Sequence, residues 1–114
     1  MPDRIVYKIM SAAELQQMQR DGVFRGSPVD IADGYIHLSC GSQLAATLDK
    51  HFNGVDGLML AAVDLALLGD TVRWEPARGG QLFPHIYGVL PAGAVVAVAP
   101  VEHTTDGGIK LPGR

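Results

Sequence analysis

Residues 57–65, GLMLAAVDL, are apolar on both alternating faces of an extended chain. Side chains alternate across a strand, so a strand with two apolar faces must be covered on both sides. The run predicts a central, doubly covered strand. A second nearly continuous apolar run, AVVAVAPVE at 94–102, predicts another strand. With 114 residues the chain is one domain, expected to bury roughly 60–70% of its extended surface. Hydrophobic residues at 47% exclude intrinsic disorder.

Around these runs the chain alternates early and then does not. RIVYKIM (4–10) reads as a strand. SAAE then supplies a capping box, Ser11 with Glu14, for a helix from about Ala12 to Arg20 that Gly22 ends. VFRGSPVDIADG (23–34) reads as irregular, because of Pro28 and the Asp33-Gly34 turn signal. YIHLS (35–39) is a strand, SQLAATLDKHF (42–52) a second amphipathic helix, and TVRWE (71–75) a further strand. QLFPHIYGVLP (81–91) holds two prolines and a glycine, too broken for regular structure, yet it is strongly apolar. Such a segment is either a lid on the core or the lining of a pocket that presents His85. These elements make an α+β domain over residues 1–103, with two helices flanking the sheet. A polar, Gly-rich stretch over 104–114 is expected to be a flexible tail.

Nine Lys+Arg against twelve Asp+Glu give a net charge of −3, without a basic cluster. That argues against a partner made of long phosphate backbone. The single cysteine, Cys40, favours a reducing compartment. No signal-like or membrane-length apolar run is present, so a cytoplasmic protein without a membrane partner is expected. One Cys and four scattered His offer no close ligand pair, so no metal is expected.

Tyr35, His37 and Ser39 share one face of their strand, opposite Ile36, Leu38 and Cys40. They make either a hydrogen-bonding wall for a sugar or phosphate or an unoccupied strand face. Thr71, Arg73 and Glu75 share a second face, opposite Val72 and Trp74. There Arg73 either grips an anion while Glu75 accepts from a ribose hydroxyl, or the two form a surface ion pair. Lys8 lies on a strand with no truly polar face, so it needs a partner or must snorkel outward. Near His85, Phe83 and Tyr87 are placed to stack on a flat ring, and core packing does not require an imidazole there. Cys40 reads as an inert buried thiol.

Together IVYKI, DGYIHLS, VRWEPARGGQLFPHIYGVLP and VVAV resemble the family called domain of unknown function 952, over about residues 4–102. The resemblance implies an ADP-ribosyltransferase-like fold, with small, mostly antiparallel sheets split around a nicotinamide-nucleotide cleft. It further implies NAD as substrate and an acceptor that is small or RNA, although the charge does not support RNA. His37, Glu75 and His85 would be the catalytic residues. Lys8, Tyr35, Ser39, Arg73, Phe83 and Tyr87 would bind the ligand. One position departs: the family's first strand commonly reads Tyr-His-Ile, and here it is Tyr7-Lys8-Ile9. Lysine keeps a donor and loses the acceptor, which favours a non-catalytic nucleotide-binding module. A third reading is a small protein-interaction domain in which LFPHIYG is a buried lid.

Overall fold

The computed structural model describes residues 3–113. Met1, Pro2 and Arg114, the outer ends of the domain and tail read from the sequence, lie outside the described residues. The chain opens with β1 (Ile5–Ser11) and turns at Ser11 into α1 (Ala12–Asp21). The capping box forms as expected: Ser11 Oγ accepts from the Glu14 amide at 3.0 Å, and the Ser11 amide donates to Glu14 Oε1 at 2.9 Å. Such caps are worth about 1 kcal/mol. After β2 (Val23–Phe24), the stretch expected to be irregular contains a helix, α2 (Pro28–Asp33). Pro28 does not break it. Proline suits the first turn of a helix, where an N–H has no intrahelical partner. Ser27 and Asp30 close a second capping box, and Gly34 ends the helix at φ 89.

Then come β3 (Ile36–His37), α3 (Leu44–His51) and β4 (Leu58–Asp64). The chain finishes with β5 (Val72–Pro76), β6 (Leu82–Ile86), β7 (Leu90–Pro91) and β8 (Val95–Pro100). All strand pairings are antiparallel, in three small sheets ordered β1-β4-β8, β2-β7 and β3-β6-β5. The domain is α+β, with three α-helices among the described residues rather than the two expected. None of them is long and apolar enough to cross a membrane.

β4 is the doubly covered central strand its sequence demands. Met59, Ala61 and Val63 face one apolar cluster, packed with Met18, Ile36 and Ile86. Leu58, Leu60 and Ala62 face the other, beneath Leu44 and Leu48 of α3. Burying a leucine as fully as Leu60 contributes about 2 kcal/mol. Residues 104–113 do not simply project from this body. Ile109 and Leu111 pack on the second cluster, and a Leu111 methyl lies 3.1 Å from where a Cβ on Gly41 would stand.

QLFPHIYGVLP corrects the sequence reading. Its first half is β6, the middle strand of a sheet, despite Pro84. A residue in an antiparallel strand points its N–H and C=O to the same side. The Pro84 carbonyl accepts from the Leu38 amide at 3.0 Å, on the β3 side and just past the end of β3. The missing Pro84 N–H would point the same way, so the ladder with β5 loses nothing. YIHLS is likewise shared between sheets. Only Ile36 and His37 pair with β6, while Ser39 exchanges two backbone bonds with Tyr7 of β1, at 2.8 and 2.9 Å. That stitch ties the two larger sheets together.

Candidate functional site

The sheet β3-β6-β5 has one apolar and one polar face. Ile36, Ile86, Val72 and Trp74 point into the first cluster. One row along, His37 pairs with His85, and His85 pairs with Arg73. Directly opposed residues share a face, so the row His37–His85–Arg73 crosses the sheet with Glu75 and Tyr87 beside it.

His85 is buried and held. Its Nδ1 lies 2.7 Å from Glu75 Oε1, and the Tyr87 hydroxyl donates to the same oxygen at 2.8 Å. Tyr35 stacks on the His85 ring with centroids 4.2 Å apart, and lies 4.7 Å from His37 and 5.2 Å from Tyr87. The two imidazoles meet edge to face at 5.4 Å. Among the described residues no buried side-chain polar atom lacks a partner. His85 Nε2 makes no hydrogen bond to any of them, so it must reach solvent. The hydrogen bonds from His85 and then Tyr87 hold the Glu75 carboxyl below its ordinary value, and the same contact raises the Tyr87 phenol. Burial, with the charges of Asp33 and Glu75, raises the Tyr35 phenol. The Arg73 guanidinium forms no ion pair with Glu75 among the described contacts and instead lies 5.4 Å from the Tyr87 ring centre.

His37 is built differently, by residues the sequence reading passed over. Asp30, almost wholly buried in α2, accepts at Oδ1 from the His37 amide at 3.1 Å and faces His37 Nδ1 at 2.6 Å. Its Oδ2 takes the Ser27 amide and the Lys8 ammonium, both at 2.9 Å. Burial is the largest influence on Asp30 and pushes its carboxyl up. The bonds from His37 and Lys8 and the Ser27 amide outweigh it and hold the carboxyl well below the usual range. Asp33, half-exposed at the end of α2, places Oδ2 2.9 Å from His37 Nε2. Asp30 was signalled by Ser27-x-x-Asp30, a capping-box spacing with Asp in place of Glu.

The nine sequence candidates divide. Tyr35, His37, Arg73, Glu75, His85 and Tyr87 gather on one face. Lys8 neither snorkels out nor faces a ligand: it is buried, donates to Asp30 and also to the His37 carbonyl at 3.0 Å. Ser39 and Phe83 are buried, Phe83 on the same face directly opposite Glu75. Cys40 is buried as expected, and burial first, then Asp3, pushes its thiol up to about 11.

An α+β domain of small antiparallel sheets, carrying two carboxylate-held histidines on one sheet face, is the class these observations define. The chain belongs to the family described as "Protein of unknown function (DUF952)", whose profile matches residues 9–98. It is 43% identical to CC0527 from Caulobacter crescentus over 94% of each chain, and the crystal structure of that protein superimposes with a TM-score of 0.84. The solution structure of CC0527 gives 42% identity and a TM-score of 0.79, covering 96% of this chain and 94% of that one. No curated protein matches the chain.

Proposed function

We propose that the His37–His85–Arg73 face binds a nicotinamide nucleotide and transfers its ribosyl group, with the sheets disposed as in ADP-ribosyltransferases. One observation carries the reading: a single Glu75 oxygen holds both His85 and Tyr87, while Tyr35 stacks on that histidine. Glu75 Oε2 takes no part in those two bonds, and in this reading it accepts from a ribose hydroxyl. Loss of nicotinamide builds positive charge on the ribose ring, and an ionised carboxylate beside that charge lowers the barrier. Tyr35 and Tyr87 offer aromatic surface to a flat ring, and Arg73 offers a fork of donors to a pyrophosphate. His85, its ring fixed by Glu75, exchanges a proton with the acceptor in this reading. The acceptor is a small molecule in this reading, because the net charge of −3 suits RNA poorly. A free, buried thiol at Cys40 suits the reducing cytoplasm.

The test is nicotinamide release from NAD, measured by chromatography, beside thermal shifts with NAD and ADP-ribose. NAD should raise the unfolding temperature and be slowly consumed. Glu75→Gln should keep a cooperative unfolding transition and stop consumption. Binding without turnover in the wild type would favour the non-catalytic module. Neither binding nor turnover would sink both.

A further inference from the structure

The two ring nitrogens of His37 face two carboxylates of different standing. Asp30 is buried and has four contacts. Asp33 is 46% exposed, ends a six-residue helix and has no other polar partner among the described contacts. Its carboxylate therefore stands over the outward nitrogen of an imidazole that a buried carboxylate fixes in place. A helix-surface pair of the same spacing would leave both partners loose, whereas here the ring is held and only Asp33 can move away.

Two strands across the same row stands Arg73. Neighbouring strands lie about 4.8 Å apart, so His37 and Arg73 are rooted about 10 Å apart with the rings between them. A pyrophosphate carries two phosphoryl groups, one for the imidazole end of this row and one for the guanidinium end.

We propose that His37 Nε2 and Arg73 form a pyrophosphate-binding subsite whose imidazole end is occupied by Asp33, and that the incoming anion displaces this carboxylate. The subsite deepens the nucleotide reading by naming the residues that take the phosphates. It makes Asp33 a built-in competitor: α2 must release His37 before the ligand is fully held.

Calorimetric titration of the full chain with inorganic pyrophosphate at pH 7 tests this, comparing wild type, Asp33→Asn and Asp33→Ala. Both variants should bind roughly three- to tenfold more tightly, the gain from removing one half-exposed competing ion pair. Pyrophosphate should also move the His37 ring-nitrogen signals in NMR spectra of the wild type, and Arg73→Ala should weaken binding. Unchanged or weaker affinity in a folded variant, or binding that leaves the His37 signals still, overturns the subsite. So does failure of both variants to fold, which would make Asp33 structural. ADP-ribose and NAD separate this from the broader reading. If pyrophosphate binds as stated and neither nucleotide does, the subsite stands and the nucleotide reading falls. If the nucleotides bind wild type and variants equally and leave His37 unmoved, the reverse holds.

Discussion

Replacing Asp30 with asparagine should be among the most damaging single changes in this domain. The Lys8 and Asp30 side chains are 7% and 2% exposed, and their charged atoms are 2.9 Å apart. Asparagine would leave the Lys8 ammonium buried with the His37 carbonyl as its remaining described acceptor. Removing one partner of a buried pair costs about 3–5 kcal/mol, because the other charge is stranded. Against a total stability of about 5–15 kcal/mol that is a large share. It would lower the thermal midpoint by on the order of 10–25 °C in a domain of this size. Lys8→Met should cost less, since Asp30 keeps the His37 ring, the His37 amide and the Ser27 amide. The double variant should lose less than the sum of the singles, because the two residues share one interaction. Urea unfolding followed by circular dichroism measures all three. The acid limb gives an independent check. The Asp30 carboxyl is depressed in the folded state, so its stabilisation is present above the ordinary value of 3.8 and fades as pH falls from there through the lower folded value. The gap between wild type and Asp30→Asn should be constant near neutrality and shrink in strong acid. A loss below about 1 kcal/mol for Asp30→Asn, or a greater loss for Lys8→Met, would refute the reasoning.

Gly26→Ala should disturb the site from behind: a Cβ there would stand 2.9 Å from Asp30 Cβ at a backbone φ of +119. A loss of about 1–3 kcal/mol in urea unfolding, with shifted His37 ring signals, is expected, and an unchanged variant would show that α2 yields easily. Cys40 should react with a thiol reagent at pH 8 far more slowly in the native than in the unfolded protein, since burial both hides the thiol and raises it to about 11. Equal rates would place it at the surface.

What the sequence made legible was whatever depends on strand alternation. Met59 to Val63 require two covered faces whatever lies on them, and Arg73 with Glu75 must point away from Val72 and Trp74. The gathering of His37, His85 and Arg73 into one row was not legible, because register between distant strands is set by the whole fold and not by either strand alone. Prolines misled twice. Pro84 reads as a breaker until β3 is seen to stop short of it, and Pro28 reads as one until Ser27 is seen to cap the helix it begins. Asp30 escaped notice for a related reason. Its partners lie on β1, on β3 and at the start of its own helix, so no local window displays more than one of them.

The placement of Lys8 explains why an interior charge belongs beside this face. Asp30 fixes His37 Nδ1, and a carboxylate so deeply buried must be balanced by a nearby positive charge. Lys8 supplies a permanent cation from the opposite oxygen, 2.9 Å from Asp30 Oδ2, while His37 holds Oδ1. Both Asp30 oxygens are thereby engaged, one by the His37 ring and the other by Lys8, and the carboxylate holds the ring from within the core. The departure of the first strand from Tyr-His-Ile to Tyr7-Lys8-Ile9 therefore removes no group from the polar face. It places a positioning residue behind His37.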